Sequence, residues 1–366
     1  SAILFVWDEF TEYFINNPNS LTGFQTLAEI SESHPFYFMI VTHESSSLIK
    51  DKDMRKKILN RFVGDVTIRI EMPENMAFRL MAQAMKTTND PIFIKEAIKT
   101  SSDMWFLGWC EANGGNISQR LEPDKMAGLP LAVKSDWTPA RVSLPNLAGE
   151  KFMFSGTTRF LRNISIAPEK NLGVIEMDSK GENYRVLWGF EPEGRPTSEL
   201  PAHLKSHSVA KEVSEGADHV VIHTHTPNLI ALTYLHELTT PLLSKLLWQS
   251  HVECVVGFPQ GIEFIPWMMA GGDEIADATA AAFRKRSMAM WQHHGVFARG
   301  RNLDAAFGLI HMADKAAGIY LKAMAAGGMR CAPSTDVVCR IAANFHVTPA
   351  PDCIDADTSA LMIRRD

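Results

Sequence analysis

Several things are missing from this 366-residue chain. No apolar run reaches the ~20 residues a membrane helix needs, so a membrane partner is not expected. The opening "SAILFVWDEF" is apolar but short, and acidic where a signal peptide would be basic. Charge of one sign is also lacking. Lys and Arg number 36 and Asp and Glu 42, a net −6, which argues against a dedicated nucleic-acid or anionic-membrane binder. Five cysteines (Cys110, Cys254, Cys331, Cys339 and Cys353) are odd in number and form no C-x-x-C pair. They read as reduced thiols of a cytoplasmic protein. No G-x-x-x-x-G-K-[ST] occurs, so the chain has no phosphate-cradling P-loop.

What is present is an ordinary globular composition, 46% hydrophobic and 21% charged, in two unequal parts. Residues 1–84 read as a small α/β segment. "AILFVWDEF", "FYFMIVTH" and "DVTIRIEM" are strand candidates with polar helical stretches between them. A buried strand ending in Asp8-Glu9, with "FMIVTH" beside it, resembles the Walker B and sensor strands of P-loop ATPases. Without the P-loop, such a fragment is expected not to hydrolyse ATP, and a fusion explains it equally well.

From residue 85 to 366 helices and strands alternate, which makes the class α/β. An amphipathic helix runs from "DPIFIKEAIK" into the turn "NGGN". A polar, proline-bearing region follows over 121–150, then the strand "EKFMFSG" and a hairpin of "LGVIEMD" with "YRVLWGF". Further expectations are a helix over 198–213, a helix over 229–236, a strand "HVECVVGF", a helix after "GGDE" and a strand "SMAMWQHHG". A last helix over 303–326 carries an apolar stripe of Phe307, Ile310, Ala317, Leu321 and Met324 and stops at Gly327-Gly328.

The chemistry concentrates in "DHVVIHTHTPNLIALTYL". The β-branched run predicts a strand, and residues two apart on a strand share a face. His223 and His225 therefore project together, away from Val220, Ile222 and Thr224. Thr226-Pro227 then reads as an N-cap with proline at the first helical position. An H-x-H pair at a strand end suits Zn²⁺, which at a catalytic site takes three protein ligands and keeps an open position. Two hydrogen-bonded structural histidines fit the same spacing. In "WQHHGVFARG", strand alternation puts His293 and His294 on opposite faces, so only one can be a third ligand. A rival set is Glu199, His203 and His207, four apart on one helical face. The blander reading there is one buried and one solvated histidine.

In this order "NGGN", "TSELPAH", "HTHTPNLIALTYL", "VECVVGFPQG" and "HHGVFARG" resemble the class II aldolase family of the fuculose-phosphate aldolase and ribulose-phosphate epimerase type. The resemblance covers residues 85–351 and leans to the rhamnulose-phosphate branch. The helical region before "NGGN" and the insert 121–150 suit that larger relative. It implies a three-layer α/β/α fold around a mostly antiparallel sheet and a homotetramer. It also implies one Zn²⁺ per subunit and retro-aldol cleavage of a sugar phosphate, L-rhamnulose 1-phosphate, to dihydroxyacetone phosphate and L-lactaldehyde.

Carried over residue by residue, the resemblance makes His223, His225 and His294 the metal ligands, and leaves His293 out. Glu199 matches the catalytic acid/base, and Glu253 a glutamate that reaches the neighbouring subunit's site. Asn113, Gly115 and Asn116 match the loop holding dihydroxyacetone phosphate; Thr197 and Ser198 match phosphate contacts. Thr157 and Thr158 stand where relatives carry Ser-Gly, so Thr158 replaces a glycine.

The hard step in such a reaction is carrying negative charge on the carbon beside a ketone. Zn²⁺ acts there as a Lewis acid, and three neutral histidines leave its full charge available. A general acid/base adds roughly 10²–10⁴-fold. No lysine cluster awaits the phosphate, so backbone N–H groups and hydroxyls are expected to hold it. Rival expectations are another sugar-phosphate aldolase or epimerase of the family, a zinc protein without catalysis, or a tetrameric scaffold for the first segment.

Overall fold

The computed structural model describes residues 90–363, together with the backbone of Ile3–Trp7 and Phe36–Ile40. The chain divides into two compact units, Ser1–Met72 and Pro73–Asp366, where the sequence suggested a division after residue 84. In the first unit, β1 (Ile3–Trp7) and β2 (Phe36–Ile40) pair in parallel, Ile3 opposite Phe36 and Trp7 opposite Ile40. Both were expected strands. The third candidate, Asp65–Met72, lies outside the described residues.

Among the described residues the second unit carries nine strands. They are β3 (Asn116–Leu121), β4 (Thr138–Pro139), β5 (Lys151–Ser155), β6 (Leu172–Met177) and β7 (Asn183–Gly189), then β8 (Val220–Thr224), β9 (Glu263–Ile265), β10 (Met288–Trp291) and β11 (Gly295–Gly300). Their order across the sheet is β4-β7-β6-β5-β3-β8-β11-β10-β9. Every pairing is antiparallel except β9 with β10. β8 is therefore central, with Asn116 of β3 on one side of His223 and Phe297 of β11 on the other.

Among the described residues seven helices of eight or more residues accompany the sheet. They are α1 (Ile92–Phe106), α2 (Leu200–Val213), α3 (Pro227–Leu235), α4 (Thr240–Ser250), α5 (Asp273–Phe283), α6 (Leu303–Ala325) and α7 (Thr335–Asn344). Strand alternation sorts them into two layers. Ile117, Val220, Ile222, Met288, Met290 and Val296 face a core shared with α1, α4 and α6. Val221, Ala289, Trp291 and Phe297 face the other way, onto α2 and α5. The result is the expected three-layer α/β/α arrangement around a mostly antiparallel sheet. On α6, Ile310 and Ala317 are fully buried while Phe307, Leu321 and Met324 pack against the same core, as the stripe predicts.

Three features differ from the sequence reading in whole or in part. "HVECVVGF" is not a strand: Cys254–Gly257 is a helical turn. Cys254 and Val255 are fully buried, and a short apolar run buried on all sides shows no period to separate strand from helix. β3 was not expected, because "NISQRL" has four polar residues, yet all six are buried in the middle of the sheet. Burial is tolerated because three of the four are paired: Arg120 Nη2 donates to Gly216 O at 2.5 Å, and Asn116 and Ser118 are bonded to α2 and the residue before it, while Gln119 Oε1 is buried without a partner. Thr226 holds the expected N-cap position of α3 with Pro227 after it, but its side chain makes no capping hydrogen bond. The Asp314 carboxylate of α6 accepts instead from Asn228 N (3.1 Å) and Leu229 N (3.2 Å).

Candidate active site

β8 ends at Thr224, so His223 is its last residue on the α2 side and His225 lies just beyond. His294 arrives from the turn 292–294 that joins β10 to β11. One ring nitrogen from each of His223, His225 and His294 lies within 4.8 Å of the others. The ring centroids are 5.1, 5.3 and 4.9 Å apart. Phe297 stacks on His223 at 4.3 Å, and Trp291 flanks it at 5.1 Å. Gly295 has to be a glycine: a Cβ there would stand 2.5 Å from Thr224 O and 3.0 Å from both the His223 and His225 rings.

His293 and His294 do separate, but by the turn and not by strand alternation. The strand stops at Trp291, and His293 adopts a left-handed φ of 62°. Its ring turns away to Thr233 Oγ1, 2.9 Å off, and stacks on Tyr234 at 4.2 Å.

The donor set fits a metal ion. His223 is fully buried and its Nδ1 lies 3.2 Å from the Val296 carbonyl, so Nδ1–H donates there. That leaves the lone pair on Nε2, which is buried without a hydrogen-bond partner. A buried acceptor left this way costs about 1–3 kcal/mol. A cation at the centre of the three rings would remove the cost. His225 Nδ1 donates to Glu111 Oε1 at 2.5 Å, which likewise leaves its Nε2 as the ligating atom. Burial holds His223 well below the usual histidine range; it also brings His294 down to about 4, helped by neighbouring His225. Both are thus neutral imidazoles near pH 7, the form that binds metal. Sequence reading missed Glu111, because an exposed loop glutamate 114 residues from its histidine carries no signal.

Glu199 sits at the head of α2, with Oε2 3.8 Å from His223 Nε2. Asn116 Nδ2 donates to the same oxygen at 3.0 Å. Burial raises the carboxyl above its ordinary value, while the Asn116 hydrogen bond and His225 pull it back. The rival set does not form: among the described residues the histidine triad alone meets metal-ligand geometry. His203 and His207 are both buried, not one buried and one solvated, and Ser118 Oγ lies 2.6 and 2.7 Å from their ring nitrogens.

The remaining candidates fall into two loops and one outlier. Gly115 (φ 76°) packs against the His223 carbonyl, where a Cβ would come within 3.2 Å, and Asn113 is exposed in the same turn. The second loop pair is tied by a bridge of Gly156 to Pro196 and by Thr157 N donating to Arg195 O at 3.1 Å. This sets Thr157 and Thr158 beside Thr197 and Ser198. Thr158 takes a left-handed φ of 57°, a glycine conformation. Glu253 stands exposed ahead of Cys254–Gly257 and makes no hydrogen bond or ion pair with the triad or Glu199.

With this geometry in hand, likeness to known proteins is informative. The family described as Class II Aldolase and Adducin N-terminal domain matches residues 95–321. The chain belongs to the class II aldolase family. A rhamnulose-1-phosphate aldolase of Klebsiella pneumoniae subsp. pneumoniae is 40% identical over 275 residues, 74% of this chain and 99% of the relative. One from Salmonella schwarzengrund is 40% identical over 274 residues, with the same coverage. A sugar-phosphate aldolase structure from Thermotoga maritima superposes with a TM-score of 0.56 at 28% identity, covering 64% of this chain and 96% of that one. This aldolase is therefore a lyase acting on a small molecule by retro-aldol cleavage. Among the described residues no helix is long and apolar enough to cross a membrane.

Proposed function

We propose that this aldolase cleaves L-rhamnulose 1-phosphate to dihydroxyacetone phosphate and L-lactaldehyde, with one Zn²⁺ per subunit on His223, His225 and His294. The observation that carries the reading is the Glu199 carboxylate 3.8 Å from the buried, unpartnered Nε2 of His223. The choice of sugar rests on curated relatives of that name, matched over 99% of their length. Zinc is favoured over other cations by an all-imidazole donor set. Bound there, the ion would act as a Lewis acid, withdrawing charge from the carbon beside the substrate ketone.

The chain's own residues supply the rest. Glu199 holds the proton that returns to that carbon, and burial favours its taking one up. Asn116 fixes one of its oxygens and so aims the other at substrate. The turn around Asn113, Gly115 and Asn116 takes the dihydroxyacetone end. The phosphate lies between Thr157-Thr158 and Thr197-Ser198, held by hydroxyls and backbone N–H groups in place of lysines. Glu253, exposed and not bonded to its own triad, serves a neighbouring subunit of a homotetramer. We place the enzyme in the cytoplasm, and residues 1–84 as an appended segment without ATP turnover.

The test is a coupled assay for dihydroxyacetone phosphate released from L-rhamnulose 1-phosphate, before and after chelation. Release that stops on chelation and returns with Zn²⁺ is expected. Full turnover in the metal-free protein, or cleavage of L-fuculose 1-phosphate instead, overturns the reading. Glu199→Ala should keep the metal and lose most turnover; near-normal rates would remove its assigned role. Light scattering of the whole chain checks the tetramer.

A further inference from the structure

Behind Glu199 the structure holds a column of buried polar side chains, of which only Asn116, at its head, belongs to the metal and substrate site already described. Asn116 and Ser118, two apart on β3, face His203 and His207, four apart on α2. All four are at least nine-tenths buried. Asn116 Oδ1 meets His203 Nε2; Ser118 Oγ lies 2.6 Å from His203 Nδ1 and 2.7 Å from His207 Nε2. Aromatic rings wall the column: Phe154 and Phe297 against His203, Phe152 against His207.

The proton positions follow from one end. Asn116 Nδ2 donates to the Glu199 carboxylate, so Oδ1 is the acceptor and His203 Nε2–H must donate to it. Burial brings His203 down to about 3 and His207 well below the histidine range, so both rings are neutral. His203 Nδ1 is then an acceptor, and Ser118 O–H donates to it. The serine oxygen in turn accepts from His207 Nε2–H. His207 Nδ1 is left as a bare acceptor, and that atom is buried without a partner. Every hydrogen points toward Glu199. Reversing any one of them would set two donors or two lone pairs face to face.

We propose that His207, Ser118 and His203 form a one-way hydrogen-bond relay that locks the Asn116 amide and through it orients the Glu199 carboxylate. They are positioning residues, acting through Asn116. The inference rests on Glu199 being the proton carrier, and the test separates the two. In His203→Phe, which keeps a ring but no hydrogen bond, kcat should fall roughly 10–100-fold, the usual effect of losing such an outer partner. KM and metal content should stay unchanged, because His203 bonds to neither the histidine triad nor the phosphate loops. Exchange of solvent deuterium into the hydroxymethyl carbon of dihydroxyacetone phosphate should slow in parallel. His203→Gln, which can donate and accept in the same place, should recover most of both rates. Ser118→Ala removes only a hydroxyl and serves if the phenylalanine variant does not fold; it should lower kcat in the same sense.

Normal kcat and exchange in folded His203→Phe or Ser118→Ala, with Glu199→Gln inactive, sink the relay but leave the proton carrier standing. An active Glu199→Gln sinks the reading beneath it. A readout free of turnover is ring ¹⁵N NMR of the whole protein. Both His203 and His207 should show the Nε2–H tautomer with no titration down to pH 5. An Nδ1–H tautomer, or protonation between pH 6 and 7, overturns the relay.

Discussion

Glu111 is the least conspicuous residue touching the triad, and removing its carboxylate tests the metal centre directly. Its Oε1 accepts from His225 Nδ1 at 2.5 Å, fixing which nitrogen of that ring faces the other two histidines. Losing such a partner typically weakens metal binding 10–100-fold, or about 1.4–2.7 kcal/mol. The Glu111 side chain is 68% exposed, so water screens its charge and can replace its hydrogen bond. Two other features hold the ring in its absence. His225 N donates to Trp109 O at 3.0 Å, and the ring lies 4.9 Å from that of His294. Glu111→Ala should therefore sit at the low end, about tenfold weaker, and Glu111→Gln, which can still accept from Nδ1–H, weaker by less. Competition against a chromogenic zinc chelator at pH 7.5 measures both. Unchanged affinity in the alanine variant would show that the carboxylate does not orient the ring. Complete loss would show that it is a ligand itself.

Three further outcomes are expected. His223→Ala and His294→Ala should lose bound metal by elemental analysis while His293→Ala keeps it; equal loss in all three would undo the ligand assignment. Thr158 holds a β-branched side chain at φ 57°, so Thr158→Gly should raise stability by about 0.5–1 kcal/mol in urea denaturation, the relief of strain exceeding the added chain entropy. His203 and His207 are neutral when folded but titrate near 6.5 when unfolded, so the unfolded chain binds more protons below that pH. Their contribution should be full above pH 6.5 and fade as pH falls from 6.5 toward about 3, where His203 protonates even when folded. Acid denaturation of His203→Gln should be measurably shallower than that of the parent chain.

Much of the fold was legible because its strands and helices declare their period. "HVVIH" is a β-branched run, α6 carries a stripe, and the hairpin of β6 and β7 follows from two apolar runs around "SKGEN". β3 was illegible for a physical reason. Asn116, Ser118 and Arg120 are buried because partners on α2 and at residues 199 and 216 satisfy them, and those partners lie 80 or more residues away. The same holds for the site. His223 and His225 announce themselves by spacing within one strand; His294 is picked out by a turn, and Glu111 only by three-dimensional contact. One of His203 and His207 was expected in solvent, but both are buried because α2 is covered by β3 and by α5.

The pairing of β3 with β8 sets Asn116 directly opposite His223. Side chains along a strand change face at every residue, so a slip of one position would bring Ile117 to that place and send the amide into the opposite core. Glu199 would lose its hydrogen-bond partner in the same movement. The sheet's alignment and the enzyme's chemistry are thus one specification: a chain that captures its metal and turns over substrate has already certified its own strand pairing. Length changes inside β3, β8 or β11 should be the least tolerated in the aldolase region, however conservative their composition.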